Sequence, residues 1–588
     1  KPGDHVALIG NSLPDRMQHD GWLQTLLYAR FPTFDLVFRN LAASGDEVAT
    51  WHRPANFGSR DQWLTKSQAD VIFAFYGFNE AFQGPAGLDK FKRDLDRFLK
   101  ETKAKNYSGK GAPRVVLFSP IANEKLNNPD LPDPTAENLN LQLYTGAMAE
   151  VAKANDVPFV DLFTPSQALY AQAAQAGRAL TFNTFMLTAA GDQALARDMF
   201  RALLEETPPA GNLERLRAAV VEKDEMWHSR YRTVDGNNVY GGRSELTFPR
   251  AGKGSPLISN FEVMQEEMSQ RDVMTANRDR RIWAVAKGGD LKVDDSNLPP
   301  VETLESNDTN VTAYLDPEAA IGHMTVAKGC QVNLFASEKE FPELAKPVQM
   351  AFDTKGRLWV AVWPNYPERT PTSKVGDSLL IFEDTNGDGK ADKVIHYLDN
   401  LNCPTGFQFY KDGVLVMEAP DLWYERDTTG GDHPNWMERV LMGMSSADTH
   451  HTANSMVLDP GGATYLSDGV FHRTQVETAE GPVRNNDAGI YRFEPRTYKF
   501  ERYVPYGFAN PHGRVFDYWG NDIITDATGN NSYFGPAFSG HLDYPARHAS
   551  MKEFWKRPSR PCAGTGILSS RHFPAEFQGD FLDCNVIG

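Results

Sequence analysis

The stretch Val6-Ala7-Leu8-Ile9-Gly10-Asn11-Ser12-Leu13 decides the fold of the first part of the chain. A short apolar run, which indicates a strand, is followed at once by Gly-Asn-Ser-Leu. The same arrangement recurs twice, because residues 40–45 (N-L-A-A-S-G) follow the apolar run 36–38 and Gly77-Phe78-Asn79-Glu80 follows the run 71–75. Open α/β sheets place their active sites on loops at the carboxyl ends of parallel strands. The three blocks are therefore predicted to meet at one edge of a sheet.

These blocks resemble the SGNH (GDSL-like) hydrolase family over residues 1–206. The resemblance implies a three-layer, flavodoxin-like α/β fold and ester hydrolysis, commonly of acetylated sugars or lipids. It also implies that Ser12 is the nucleophile and that the Ser12 and Gly45 backbone N–H groups form an oxyanion hole with the Asn79 amide. The alternatives are that Ser12 is only a helix N-cap or turn residue and that Asn79 only forms a turn.

The general base of that family, the His of a late Asp-x-x-His, is missing from this chain. Asn183-Thr184-Phe185-Met186 stands in its place, and no His lies between His52 and His228. A thioether cannot hold a proton, and general-base catalysis contributes about 10²–10⁴-fold to a rate. We therefore expect a weak or inactive hydrolase, with His52 as the candidate substitute base. The alternative is a domain that binds a ligand, or only packs, without turnover.

The length and net charge of the chain limit the number of domains and the classes of partner that we expect. At 588 residues the chain is too long for one core, so several domains are expected. The net charge of −17 argues against nucleic acid and anionic membranes as partners, and no apolar run approaches the ~20 residues that span a bilayer.

The four cysteines form no C-x-x-C pair, and we expect mostly buried thiols. They are Cys330, Cys403, Cys562 and Cys584.

Changes in the pattern of apolar, charged and turn residues divide the chain into three parts. Residues 1–206 alternate short apolar runs with helical periodicities, which predicts a parallel sheet covered by helices. Residues 207–321 are charged and mainly helical or irregular, and we interpret them as a connecting segment. Residues 322–588 change to short β runs and turns, which predicts an all-β domain.

An irregular repeat in the last part predicts a β-propeller. Each copy is an apolar or aromatic pair, a turn with a marker glycine and a second apolar run, at a period of roughly 50 residues. Six or seven blades are expected, and five copies do not close such a ring. Because an open propeller exposes strand edges, we expect the native protein to continue past this chain. The marker glycines are Gly356, Gly413, Gly462, Gly520 and Gly579, separated by 57, 49, 58 and 59 residues.

One loop of the propeller has the spacing of a calcium loop. Asp384, Asn386, Asp388 and Asp392 stand at positions 1, 3, 5 and 9, with a glycine at position 6. Position 12 is Ile395, so the bidentate Glu of such loops is missing. The alternatives are a weak structural Ca²⁺ site and a simple Asn-Gly/Asp-Gly hairpin turn.

Imidazole-rich strings flank the third, fourth and fifth copies of the repeat. Their similar offsets predict that they converge on the central channel, where propellers bind ligands. The alternative for any single His is that it caps a loop or bonds to backbone. The channel candidates are His450, His451, Asn454, Arg473, His512, Arg571 and His572.

These strings and Trp363-Pro364-Asn365-Tyr366-Pro367 resemble the membrane-bound-dehydrogenase-like propellers of planctomycete-type bacteria, in proteins of the PVC haem-binding type. The resemblance implies pyrroloquinoline quinone or another redox partner, His450 or His451 as base, and Arg473 and Arg571 as anion-binding residues. In that family a C-x-x-C-H haem module often follows downstream; this chain does not contain it.

Two interpretations follow from these patterns. In the first, the chain is an exported, saccharide-processing protein, periplasmic or membrane-associated through further segments. Its propeller would be a quinoprotein-like dehydrogenase, its front domain a degenerate esterase, and its substrate a carbohydrate or an acylated small molecule. In the second, it is a non-catalytic assembly that binds a ligand or transfers electrons.

Overall fold

A computed structural model describes the chain through residue 585, except residues 253, 305–313, 368, 530, 536–541 and 557–561. An α/β domain is followed by a helical segment and by a propeller-like array of β blades. The predicted combination of an α/β and an all-β part is thus confirmed. Among the described residues, no helix combines the length and apolarity needed to cross a bilayer.

The α/β domain is built on a five-stranded parallel sheet with the strand order β2-β1-β3-β4-β5. Each predicted apolar run contains a strand, and the central strand is buried along its whole length, as expected for a parallel sheet with both faces covered. This strand order is the flavodoxin-like one. The strands are β1 (His5–Gly10), β2 (Val37–Asn40), β3 (Val71–Phe75), β4 (Arg114–Phe118) and β5 (Phe159–Val160).

Eight helices connect and cover these strands. The sequence periodicity predicts helices over residues 22–31, 88–102, 137–155 and 193–204, and these correspond to α2, α5, α6 and α8. The periodicity does not predict α1, α3, α4 and α7, because they are short or lack a clear apolar stripe. The helices are α1 (Ser12–Asp20), α2 (Trp22–Arg30), α3 (Arg60–Lys66), α4 (Phe78–Ala81), α5 (Gly84–Lys103), α6 (Thr135–Ala154), α7 (Phe163–Gln175) and α8 (Ala189–Leu204).

The connecting segment packs against the edge strand of the α/β sheet. Its two long helices contact each other, and Trp227 and Trp283 donate indole N–H bonds to the carbonyls of Asn40 (2.6 Å) and Leu36 (2.8 Å). The sequence predicts a helix over residues 261–276, and the observed helix, Asn260–Ala286, begins one residue earlier and ends ten residues later. The elements are α9 (Glu214–Tyr231), α10 (Gly236–Val239), β6 (Thr247–Arg250), β7 (Gly254–Ser259), α11 (Asn260–Ala286) and α12 (Pro317–Gly322).

Within the residues that the structure describes, the all-β part contains four antiparallel, four-stranded blades and a further strand pair. In all five units the marker glycine lies at the turn of the first hairpin, which is why it recurs. Blades one and two are β8 (Pro347–Phe352), β9 (Leu358–Val362), β10 (Asp377–Glu383), β11 (Lys393–Leu401) and β12 (Pro404–Tyr410), β13 (Gly413–Glu418), β14 (Asp421–Arg426), β15 (Trp436–Met442).

The third blade carries an additional hairpin between its second and third strands. Its blade strands are β16 (Asn454–Leu458), β17 (Thr464–Asp468), β20 (Gly489–Glu494) and β21 (Lys499–Pro505), and its hairpin is β18 (Arg473–Thr478) with β19 (Gly481–Asn486). The fourth blade is β22 (Pro511–Phe516), β23 (Asp522–Asp526), β24 (Asn531–Phe534) and β25 (Glu553–Lys556), and the last pair is β26 (Cys562–Ile567) with β27 (Phe581–Asn585).

The cysteines correct one expectation. Cys403 is buried, but Cys330 and Cys584 are exposed, so the predicted burial of the thiols is wrong for these two. Cys330 lies in an exposed coil segment and Cys584 on the last described strand. The Cys562 side chain lies outside the described residues.

The buried Lys223 of α9 provides a test of how tightly the connecting segment is packed. Its ammonium group is fully buried and donates to Gln24 Oε1 (2.9 Å), to the Phe38 carbonyl (3.3 Å) and to Asp224. Lys223→Met removes the ammonium group that pairs with the buried Asp224 carboxylate, so we expect a loss of about 3–5 kcal/mol of unfolding free energy. Calorimetric unfolding of the full chain measures it.

The matched control is Lys287→Met, which removes an exposed ion pair with Asp35 on the same segment. Exposed pairs contribute about 0–1 kcal/mol. Equal effects of the two substitutions would contradict a tightly packed interface between α9 and the sheet.

Candidate functional site

The three predicted hydrolase blocks meet at the carboxyl edge of the sheet. Ser12 begins α1 directly after β1, and the cap of this helix is Asn11, whose side chain accepts the Leu13 N–H (3.2 Å). Ser12 is therefore not the N-cap that the alternative required. Its hydroxyl donates to Ser44 Oγ (2.9 Å) and is buried.

The predicted oxyanion hole is formed, and a carboxylate from the propeller occupies it. Glu477 Oε2 accepts the Ser12 N–H (3.2 Å), the Gly45 N–H (3.2 Å) and the Asn79 side-chain N–H (2.8 Å). These are the donors that the family resemblance assigns to a developing oxyanion. A substrate carbonyl cannot reach them while Glu477 is in place.

The β18–β19 hairpin brings Glu477 to this position and is itself held by the hydrolase loops. Gln475 Nε2 donates to the Ser44 carbonyl (2.7 Å), and the Glu477 N–H donates to Ser44 Oγ (2.9 Å). From the second strand, Arg484 donates to the Gly45 carbonyl (2.7 Å). Both strands of the hairpin therefore bond to the same loop.

Two glycines permit this close approach. A Cβ on Gly45 would lie 2.4 Å from Gln475 Cγ, and a Cβ on Gly443, which directly follows β15, would lie 2.0 Å from the Gln475 carbonyl oxygen. Both glycines have positive φ angles, +76° and +102°. No residue with a side chain could stand there without moving the hairpin.

Met186 shares a small cavity with Ser12. The cavity, of about 20 Å³, is lined mainly by apolar side chains and also by Ser119, Arg16 and Glu477. Asn183 Oδ1 accepts the Met186 N–H (2.9 Å), so the residue that would orient a histidine closes a turn instead. No histidine lines this cavity among the described residues. The place of the general base is therefore filled by a packed thioether.

His52 lies elsewhere, so the structure does not bring the proposed substitute base to Ser12. Its Nε2 pairs with the Asn485 carbonyl (3.1 Å), and it lines a separate cavity with Ser44 and Arg473. Burial lowers the pKa of His52 to about 4, and Nε2 must donate an N–H to this carbonyl, so it is not available to accept a proton.

Burial also sets the charge state of the carboxyls at this interface. It raises the pKa of Glu477 to about 7, although the bonds from Asn79, Ser12 and Gly45 oppose the rise. It likewise raises the pKa of Asp15, which accepts the Ser44 N–H (2.9 Å), to about 6. Both groups can therefore take up a proton close to neutral pH.

The propeller encloses a second candidate site in its central channel, a cavity of about 650 Å³. Three of the predicted channel residues, His450, Asn454 and His512, line it, and His451 bonds through Nδ1 to His512 Nε2 (2.8 Å). Burial lowers the pKa of both His450 and His451 and lowers that of His512 to about 4. These imidazoles are therefore neutral.

The other predicted channel residues lie away from this cavity. Arg473 pairs with Asp487 (2.7 Å) and lines the cavity of His52 instead, whereas Arg571 and His572 are exposed on the turn before β27. The two arginines thus do not form the anion-binding set that pyrroloquinoline quinone, a tricarboxylate, would need in the channel. These residues do not fit that group, and we derive no redox step.

The loop at residues 384–392 is the turn between β10 and β11. Asp384 accepts backbone N–H groups from Gly387 (2.6 Å) and Gly389 (2.8 Å), and Asp392 accepts from Thr385. Asn386 and Asp388 likewise accept N–H groups of the loop. This bonding is that of the hairpin alternative, and bound Ca²⁺ stays a prediction.

Sequence reasoning did not find Glu477, the acid whose carboxylate fills the oxyanion hole. The alternation of residues 473–478 followed by Gly481 does signal a hairpin. Nothing local to the hairpin signals its partner, because Glu477 is 398 residues from Asn79.

Comparisons with known proteins agree with this architecture. Residues 8–194 match the GDSL-like lipase/acylhydrolase family, and residues 316–560 match a domain of unknown function, DUF7133. A comparison with curated proteins gave no match.

Several solved structures are similar to the α/β part. Axe2, an acetylxylan esterase from Geobacillus stearothermophilus, is 18% identical over 36% of this chain and 98% of its own, with a TM-score of 0.27. The acetyl xylan esterase AlAXEase is 16% identical over 34% and 100% of the two chains, with a TM-score of 0.26. BT4096, a gut microbial diltiazem-metabolizing enzyme, is 17% identical over 34% of this chain, with a TM-score of 0.29.

This chain spans 47% of the length of BT4096. Identities this low carry no inference about activity. The chain thus joins a GDSL-like (SGNH) domain to a DUF7133 domain of propeller-like architecture.

Proposed function

We propose that the SGNH domain is a non-hydrolytic scaffold that holds the propeller, and that the protein binds its carbohydrate or acylated ligand in the propeller channel. The observation that carries this proposal is the Glu477 carboxylate in the oxyanion hole. In the wider setting we retain the expectation of an exported, saccharide-processing protein.

Hydrolysis by Ser12 would need a proton acceptor and an open hole at the same time. Met186 supplies no acceptor, and Glu477 fills the hole. Each obstacle alone would reduce turnover, since a general base contributes about 10²–10⁴-fold and one oxyanion donor about 10²–10³-fold. Together they favour a binding role for these loops over a catalytic one.

The channel has the features of a ligand site. Thr405 and Asn454 offer polar groups, and Trp363 and Tyr366 offer aromatic surface, in the wall of one cavity. The buried Trp363 Nε1 and Asn454 Oδ1 have no hydrogen-bond partner among the described residues. A sugar, which presents hydroxyl groups and apolar ring faces together, would satisfy both kinds of surface.

The two obstacles to hydrolysis, Met186 and Glu477, can be removed singly and together by substitutions in the full chain. We expect no Ser12-dependent hydrolysis of a chromogenic acetyl ester by wild type, Met186→His or Glu477→Ala. The double variant Met186→His/Glu477→Ala restores both a base and an open hole, so we expect turnover that Ser12→Ala abolishes. Initial rates above the buffer blank measure it, and adding Asn183→Asp to orient the new imidazole should raise them further.

Glu480→Ala is the matched control, since Glu480 lies on the turn of the same hairpin with its side chain exposed. It should leave both the wild-type and the Met186→His rates at the blank. Wild-type hydrolysis that is lost in Ser12→Ala would contradict the proposal, and activity in Glu477→Ala alone would identify the hairpin as a displaceable inhibitor of a working enzyme.

Docking of the hairpin should weaken as the pH rises. The pKa of Glu477 is raised to about 7 from an ordinary 4.5, so the folded chain binds this proton more tightly than the unfolded chain. The stabilisation is complete below the ordinary pKa and is lost as the pH rises through about 7. The unfolding midpoint of wild type, minus that of Glu477→Gln, should therefore fall between about pH 5 and pH 8.

The amide of Glu477→Gln does not titrate, and every other group is shared by the two proteins. A difference that is constant with pH would show that the carboxyl keeps its ordinary pKa in the hole, and a difference that grows as the pH rises would show a pKa below the ordinary value.

A further inference from the structure

A cluster of one carboxylate and two imidazoles lies in the propeller, apart from the hydrolase site. Asp448 precedes a short 3₁₀ turn, Thr449–His451, which carries both histidines. One ligand atom from each of Asp448, His450 and His451 lies within 4.8 Å of the others. His450 also lines the channel cavity. The cluster therefore faces the space in which a ligand would sit.

Three polar atoms of this cluster have no hydrogen-bond partner among the described residues. Asp448 is completely buried, yet neither of its carboxylate oxygens accepts a hydrogen bond among the described residues, and His450 Nδ1 also lacks a partner. The nearest cation is Arg243, whose Nη1 is 3.3 Å from Asp448 Oδ2 without hydrogen-bond geometry. Buried polar atoms are normally paired, so these atoms point to a missing partner that accepts lone pairs.

His512 fixes the state of the second imidazole. The His512 ring hydrogen-bonds to the backbone of His450, and its Nε2 is 2.8 Å from His451 Nδ1. A carbonyl accepts only from an N–H, so we assign the His512 proton to that bond and the bridging proton to His451 Nδ1. His451 Nε2 then carries a free lone pair. Metal-binding histidines characteristically use their second nitrogen in this way.

We propose that Asp448, His450 and His451 bind a divalent transition-metal ion, Zn²⁺ by preference, in the wall of the propeller channel. His450 Nδ1 and Asp448 Oδ1 are 3.5 Å apart. Zn–N and Zn–O bonds of 2.0–2.1 Å set ligand atoms about 3.4 Å apart in a tetrahedral site. Two of the three ligands thus already have the spacing that the ion requires.

The donor set determines the class of metal. Two imidazoles and one carboxylate suit Zn²⁺ and its neighbours in the transition series, whereas Ca²⁺ and Mg²⁺ prefer oxygen alone. Three protein ligands leave the fourth tetrahedral position to water or to an oxygen of a molecule in the channel. The oxygen-rich loop at residues 384–392 is a different kind of site and should not compete for Zn²⁺.

The test is Zn²⁺ binding to the full chain without a polyhistidine tag, by competition with a chromophoric chelator. We expect one tight Zn²⁺ per chain in wild type and loss of that ion in His450→Gln, His451→Gln and Asp448→Asn. His512→Gln should weaken the affinity by about 10–100-fold, because it removes only the second-layer bond. The matched control is His572→Gln, an exposed histidine away from the channel, which should bind like wild type.

Co²⁺ provides a readout that needs no variant. Wild type loaded with Co²⁺ should show the intense visible absorption of a four-coordinate site, and added Zn²⁺ should remove it. The proposal is overturned if wild type binds no Zn²⁺, if the three ligand variants bind it as tightly as His572→Gln, or if bound Co²⁺ gives only the weak spectrum of a six-coordinate ion.

The proposed metal site does not depend on whether Ser12 hydrolyses esters. Metal content is measured without any ester, so an active Ser12 would leave this inference untouched. Conversely, a chain that binds no Zn²⁺ would leave the role of Glu477 unchanged.

Discussion

The bonding of one carboxylate oxygen by three converging donors sets the arrangement of the two domains. An oxyanion hole is built from N–H groups that point at one spot before any ligand arrives. In a buried site, such donors require an acceptor. In this chain the acceptor is Glu477, so the hole is filled by a side chain of the protein itself rather than by a substrate. Gly45 and Gly443 lie at the two points where a Cβ atom would collide with Gln475 of the hairpin.

The Glu477 carboxylate in the oxyanion hole and the Met186 thioether in the place of the base are physically consistent with each other. The cavity beside Ser12 is small and mainly apolar, and Glu477 closes part of it. A histidine placed there would need a partner for its second nitrogen, whereas Met186 needs none and fills an irregular gap well. Asn183 is retained as the acceptor of a backbone turn. The site therefore resembles a hydrolase in its backbone, but its side chains pack as an interface.

The sequence predicted those features that depend on neighbouring residues. Strands β1–β4, the donors Ser12, Gly45 and Asn79, and the marker glycines of the blades all follow from short patterns. Helices such as α9 could not be placed from periodicity, since their buried faces include charged residues such as Lys223. Glu477 was missed because its role is created only when residues far apart in sequence meet. Arg473 does not line the channel, because it belongs to the same inserted hairpin and lies with it at the hydrolase interface.

The oxyanion hole and the propeller channel differ in whether the polar atoms at their centre have partners. At the hole the Ser12 hydroxyl and all three donors are bonded, although buried atoms close by, such as Asn79 Oδ1 and Thr184 Oγ1, have no partner among the described residues. In and around the channel, unpaired atoms occur on Asp448, His450, Asn454 and Trp363. Each unpaired buried group costs about 1–3 kcal/mol. A ligand in the channel would supply partners for these groups, which supports the channel site proposed above.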